Sequence, residues 1–248
     1  MLERNEAVIL VEAGNTDWKA AVCEPNAEVV AQFRGAEITA LSAWLRGREE
    51  RVIVLATVGA EQEALSLIGE MQDAGFEVYR VQTSEIDGFQ HSYENISHLG
   101  VDRWLTMVAL KHLAKPVVII DVGTAITVDW MDAHGVHKGG WIAPGFWLMQ
   151  DALVRRSARL RVQDSVPNEV MGTSTESCIA NGCAAALDGL CQRAIEYADT
   201  IFGIDGYELY LTGGGVRHLN REILPPHQIR PHLVLEGLAV WTREHLPR

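Results

Sequence analysis

Two stretches of this chain follow one plan. VILVEAGNTDWKA begins at Val8 and VVIIDVGTAITVDW at Val117, and in each an apolar strand closes on an acid, then passes through one residue, a glycine and a polar turn into a returning strand. The two acids, Glu12 and Asp121, stand 109 positions apart. Self-similarity at that separation marks the duplication of a supersecondary unit. Two copies facing each other across a cleft fit a two-lobed α/β protein better than one continuous sheet. The boundary is expected near Lys115, giving lobes at residues 1–115 and 116–248, and a chain of 248 residues is long enough to bury a core in each.

Hydrophobic periodicity fills in the elements between the repeats. Ala7 to Glu12 reads as a buried strand, Gly14-Asn15-Thr16 as a tight turn and Trp18 to Cys23 as the returning strand. Further strands are expected at Val52 to Ala56 and Glu77 to Val81, with a helix at about Glu61 to Ala74 between them. After Gly100, residues Val101, Trp104, Leu105 and Val108 fall at helical spacing in a segment that ends before Lys115-Pro116. The second repeat supplies strands at Val117 to Asp121, Ile126 to Trp130 and near Val136 to Ile142. Long helices at about Phe146 to Ala158 and Thr175 to Ile201, a strand at Glu208 to Leu211 and a last helix from about Leu235 to Arg243 complete the expected set.

Composition removes several classes of function. The longest apolar runs, such as Val117 to Ile120, fall far short of the roughly 20 residues needed to cross a bilayer, and the opening MLERNEAVIL is acidic where a signal peptide is basic. A cytoplasmic protein that engages no membrane is expected. A net charge of −12 and a pI near 5.2 oppose nucleic-acid binding, which depends on clustered Lys and Arg. The short basic run Arg155, Arg156, Arg159 and Arg161 reads as a solvated face or interface rim. Cys23, Cys178, Cys183 and Cys191 form no CxxC pair, so buried reduced thiols are expected rather than disulfides or zinc ligands. His134 and His137 have ligand-like spacing but lack a third ligand and read as surface turn residues.

The turns carry the chemistry. A glycine just past a strand lets backbone NH groups approach a phosphate, and an acid at the strand end can hold a magnesium ion bridging phosphate oxygens. One acid-x-Gly-x-Thr turn is a weak signal, but Glu12-Ala-Gly14-Asn15-Thr16 and Asp121-Val-Gly123-Thr124 occupy corresponding places, and Leu211-Thr212-Gly213-Gly214-Gly215 follows a third apolar strand. Together they resemble the two phosphate loops and nucleotide-side glycine turn of the actin-like ATPase fold, a ribonuclease H-like α/β architecture with a duplicated core. Neither GxxxxGK[ST] nor GxGxxG is present, which disfavours P-loop and Rossmann nucleotide sites.

In order along the chain, the motifs resemble those of the type III pantothenate kinase family. Gly14-Asn15-Thr16 with Lys19 is similar to its first phosphate motif, and Tyr93 with Leu99-Gly100-Val101-Asp102-Arg103 to its substrate segment. The run Asp121 to Thr127 is similar to its second phosphate motif, and Gly139-Gly140-Trp-Ile-Ala-Pro144-Gly145 to its glycine-proline loop. Gly172-Thr-Ser-Thr175 with Asn181-Gly182, Leu211 to Gly215, and Leu233-Val-Leu-Glu-Gly237-Leu238 continue the series.

The resemblance implies ATP-dependent phosphorylation of pantothenate, the first committed step of coenzyme A synthesis, with Mg²⁺, a monovalent cation (K⁺ or NH₄⁺) and a homodimeric assembly. It casts Asp102 as the general base and Tyr93, Gly100, Val101, Arg103 and, from a neighbouring subunit, Thr175 as pantothenate contacts. Thr175 reads equally as a helix cap, as does Ser174. It places ATP phosphates on Glu12, Gly14, Asn15, Thr16, Lys19, Gly123, Thr124, Gly213 and Gly214, assigns the monovalent cation to Asp121, and makes Glu12 a magnesium ligand. Read physically, an acid beside an Arg at a helix start stays ionised and suits proton acceptance from an alcohol; the plainer reading of Asp102 is a first-turn acid favoured by the helix dipole. Two positions depart from the pattern: Glu12 stands where the family has Asp, and Ile96 where it usually has Pro. The substitution at Glu12 leaves a second expectation, a non-catalytic or regulatory relative that retains the ligand cleft.

Overall fold

The computed structural model describes residues 7–14, 16–24, 29, 32–59, 61–155, 161, 166 and 169–246. The chain divides into two compact units. The first runs to His112 and resumes from His232 onward; the second is Leu113–Pro231.

The first unit is built on a five-stranded sheet in the order β3-β2-β1-β4-β5. Its strands are β1 (Val8–Ala13), β2 (Trp18–Cys23), β3 (Phe33–Gly35), β4 (Val52–Thr57) and β5 (Glu77–Val81). Strands β1, β2 and β3 form an antiparallel meander, whereas β4 and β5 add in parallel on the other side of β1. The second sheet, in the order β10-β9-β6-β7-β8, repeats this plan. Strands β6 (Val117–Val122), β7 (Ala125–Met131) and β8 (His137–Pro144) form the meander. Strands β9 (Glu208–Thr212) and β10 (His227–Ile229) add in parallel beside β6. The duplication is therefore one of topology as well as sequence, and Glu12 and Asp121 stand one residue before the ends of equivalent central strands.

Central strands of both sheets read as continuous apolar runs because each is covered on both faces. Residues 8–11 of β1 and 117–120 of β6 are buried throughout. In the first unit, α1 (Ile38–Arg46) and α2 (Glu61–Asp73) send Leu41, Leu45, Ala64, Leu67 and Met71 into one core with Ile9, Val11 and Leu55. Helices α3 (Val101–Leu110) and α6 (Leu233–His245) pack on each other, and α6 also lies against β1, β2 and β4. In the second unit, α4 (Phe146–Val154) packs on α5 (Thr175–Phe202). Helix α5 buries Ala180, Ala184, Leu187, Cys191, Ala194 and Ala198 at alternating spacings of four and three, with Cys183 beside them, and so presents one narrow face to the core.

The division places the C-terminal helix differently from the two-segment expectation of 1–115 and 116–248. Residues from His232 belong with the first unit, because α6 docks on α3 at backbone contact: a Cβ on Gly237 would lie 2.1 Å from the Leu105 carbonyl oxygen. Only glycine permits that approach.

All four cysteines are free thiols. Burial pushes the Cys191 thiol up to about 12, with the Asp188 carboxylate adding to it, and burial likewise raises Cys183, so both stay protonated. Cys178, expected inside, is exposed and directs its Sγ to the Gly172 carbonyl at 3.3 Å. No helix among the described residues is long and apolar enough to cross a membrane.

Candidate active site

In the first unit the β1–β2 hairpin presents Glu12. Register pairs Glu12 directly with Lys19, and the Lys19 ammonium donates to both carboxylate oxygens at 3.2 Å. Both side chains are largely buried, at 14% and 18% exposure, where the effective dielectric is low enough for such a pair to hold. The Gly14 N–H closes the turn on the Asp17 carbonyl at 3.0 Å, and Asp17 is held by Arg34 of β3 at 2.8 Å. Thr16 stands exposed in that turn, and Asn15 lies outside the described residues. The Asp17–Arg34 brace carries no motif signal, because it depends on a strand of three residues.

The segment expected to meet substrate lies in the same unit and is assembled around the start of α3. Gly100 is the N-cap residue, and the Asp102 carboxylate folds back over it, with Oδ1 accepting from the Arg103 N–H at 2.8 Å. Arg103 is 5% exposed, and its Nη1 donates to the Tyr93 hydroxyl at 2.7 Å. Tyr93, Asp102 and Arg103 are thereby brought to one helix start, whose dipole favours the Asp102 anion. Val101 differs: its side chain is buried in the core, so it packs rather than faces solvent. Asn95 caps the short turn Ile96–His98 by accepting from the Ser97 N–H at 3.0 Å. Ile96 thus occupies the first position of a helical turn, where the backbone also suits proline.

In the second unit, three glycine-bearing loops close on the end of β6. The Gly123 N–H bonds to the Ala125 carbonyl at 2.9 Å, and the Thr124 carbonyl accepts from the Gly145 N–H, also at 2.9 Å, where α4 begins. Gly213, at φ +87°, lies over β6 so closely that a Cβ there would sit 2.3 Å from Asp121 Oδ1 and 2.4 Å from the Val122 carbonyl oxygen. Gly214 opens the following turn, Gly214–His218, and is exposed. Phe146, the first residue of α4, stacks on His218 with centroids 4.3 Å apart and planes at 14°, joining α4 to that turn. No sequence period relates residues so far apart, and this contact was not legible in the chain alone.

The residues fit the ligands that the motifs imply. Glu12 and Asp121 offer carboxylate oxygens beside turn amides, the donor chemistry of magnesium and alkali ions, and the bare Gly213 backbone leaves a cradle that a side chain would fill. No group of three His, Cys, Asp or Glu side chains among the described residues is arranged as a dedicated metal cage. Magnesium in phosphoryl-transfer sites is held instead by one or two carboxylates and the substrate phosphates.

Thr175 is exposed at the first position of α5, and the cap is Ser174, which forms a capping box with Ser177. His134 occupies a surface turn closed by Asp132, whose carboxylate accepts from the His134 and Val136 N–H groups. His137, in contrast, is no surface residue: it is 1% exposed and pairs with buried Asp129 of β7 at 2.9 Å, because alternation along β8 turns it inward. In the basic run, Arg155 is exposed and bonds to Asp151 one turn earlier, and Arg156 and Arg159 lie outside the described residues.

Comparison with known proteins bears on the fold and the family. Among solved structures, a conserved protein assigned to a Baf family of transcriptional activators from Campylobacter jejuni matches at TM-score 0.62 and 19% identity, covering 95% of this chain and 98% of that one. MreB 5 of Spiroplasma citri, bound to AMPPNP, matches at TM-score 0.51 and 10% identity, covering 96% of each chain. At these identities the likeness establishes the actin-like fold and says nothing of regulation. By sequence, the type III pantothenate kinase of Pseudomonas aeruginosa is 33% identical over 245 residues, covering 94% of this chain and 98% of that protein. That of Pseudomonas paraeruginosa is 35% identical over 204 residues, covering 79% of this chain and 81% of that protein. A sequence model of the family matches residues 8–197 as well, and the chain belongs to the type III pantothenate kinase family.

Proposed function

We propose that this protein transfers the γ-phosphoryl group of ATP to the primary hydroxyl of pantothenate, the opening step of coenzyme A synthesis. The observation that carries the reading is the cluster at the head of α3, where Arg103 holds the Tyr93 hydroxyl with its side chain and donates its backbone N–H to Asp102. Arg103 and Tyr93 orient the pantothenate body and carboxylate. Asp102 accepts the hydroxyl proton as the oxygen–phosphorus bond forms and the bond to the bridging oxygen of ADP breaks. Thr16, Lys19, Thr124, Gly213 and Gly214 hold phosphate oxygens through side-chain hydroxyls, turn amides and the Lys19 ammonium, while Gly14 and Gly123, whose N–H groups close their own turns, leave bare backbone that the phosphates can approach; Asn15 completes the first loop by its motif. Glu12 would hold magnesium, which would supply charge neutralisation at the phosphates, and Asp121 would hold a potassium or ammonium ion.

The active form is a cytoplasmic homodimer in which the neighbour's Thr175 contacts pantothenate. Support for an interface comes from large apolar side chains left in solvent along the second unit: Leu153 is 55% exposed, Val170 88% and Met171 81%. The reading is tested by ADP release from ATP in magnesium and potassium. Release must require pantothenate and fall strongly when the monovalent cation is withheld; release that is indifferent to pantothenate contradicts it.

A further inference from the structure

Lys111 is the C-cap residue of α3 and takes no part in the site described above. Its side chain is fully buried, yet it carries a charge. Two acceptors meet that charge: the Asp87 carbonyl at 2.6 Å and Glu244 Oε2, on α6, at 2.7 Å. Asp87 lies in the turn at residues 86–89, whose flanks Ile86 and Phe89 are buried and bridge each other, with the Phe89 N–H on the Ile86 carbonyl at 3.2 Å. The neck of the same segment is closed by Thr83, whose hydroxyl donates to the Leu99 carbonyl at 2.7 Å.

The segment between β5 and α3 is therefore fastened to both ends of one helix. Arg103, in the first turn of α3, holds Tyr93; Lys111, past its last turn, holds the 86–89 turn a few residues upstream. A helix is stiff, so these two points fix the path of the intervening chain, including Tyr93. The buried ammonium tolerates neither loss of Glu244 nor loss of the Asp87 carbonyl, since either leaves a charge uncompensated away from water. We propose that Lys111 and Glu244 form a latch that positions Tyr93 for pantothenate, making them positioning residues through which the C-terminal helix sets substrate affinity.

This rests on the reading that Tyr93 and Arg103 hold pantothenate, so the test carries a control for it. Initial rates of Lys111→Met, Glu244→Gln and Tyr93→Phe are measured with pantothenate varied at saturating ATP, and the reverse. A displacement of about 1 Å in a contact side chain costs up to about 100-fold. Lys111→Met is expected to raise KM for pantothenate roughly 10- to 100-fold with KM for ATP unchanged, and Glu244→Gln to move it less in the same direction. Hydrogen exchange should quicken over residues 86–93 in Lys111→Met while β4 keeps its protection.

If Tyr93→Phe raises KM for pantothenate but both latch variants leave it at the wild-type value, the latch is overturned and the site reading stands. If none of the three moves it, the site reading fails and the latch with it. If the latch variants raise both KM values alike, with exchange faster throughout the unit, the pair is a general brace and the proposal is wrong. Should Lys111→Met not fold, Glu244→Gln, which keeps a hydrogen-bond acceptor, decides the same question.

Discussion

The tasks proposed for two carboxylates in the first unit, Glu12 and Asp102, are separable, and each can be tested by losing its charge while keeping its size. Glu12 stands where the family has Asp, and its longer arm still meets Lys19 across the hairpin. Glu12→Gln is expected to lose most activity and Glu12→Asp to keep or raise it; wild-type turnover in Glu12→Gln makes the residue structural. Asp102→Asn is expected to lower kcat by roughly 10²- to 10⁴-fold while the fold and ATP binding survive. If Asp102 were only a first-turn acid, the substitution would cost about 0.3 to 1 kcal/mol of stability and spare turnover. Melting temperature and turnover measured on one preparation separate the two. The places of Glu12, Asp102 and Asp121 in the fold were legible because each sits near the end of a strongly patterned strand or helix. It did not reveal His137, whose partner Asp129 is set by strand pairing. Nor did it reveal that Val101, beside Asp102, points into the core.

At the scale of elements, long apolar strands and amphipathic helices were readable and short or uncapped ones were not. Strands β3 and β10 are three residues each and gain their identity only from a neighbour. Helix α1 spaces Leu41 and Leu45 as a helix should, but Glu37 makes no side-chain cap and the start carries no signal. The partner of α6 was equally hidden, because a docking surface depends on close approach rather than on period. Gly237 makes that approach testable. Gly237→Ala must push α6 off the Leu105 backbone, at about 1 to 3 kcal/mol, and lower the melting temperature by roughly 2–4 °C per kcal/mol. Gly189→Ala on α5, where nothing lies within 4 Å, is the control and should hold or raise it. Equal melting temperatures for the two variants would remove Gly237 from the packing account.

At the scale of the molecule, the repeat beginning at Val8 and Val117 grew into two sheets of identical strand order and direction. What the repeat could not convey is that the chain returns to its first unit at His232. The exposed apolar side chains of the second unit predict a dimer, and light scattering at micromolar concentration should give twice the chain mass; a monomer there contradicts the shared site. Where the phosphoryl group goes is read most directly by mass analysis of products from purified protein with ATP, magnesium, potassium and pantothenate. Phosphopantothenate and ADP are expected in equal amounts, absent from a heat-killed control. Folded protein that consumes ATP without forming phosphopantothenate, or that forms neither product, contradicts the proposed transfer.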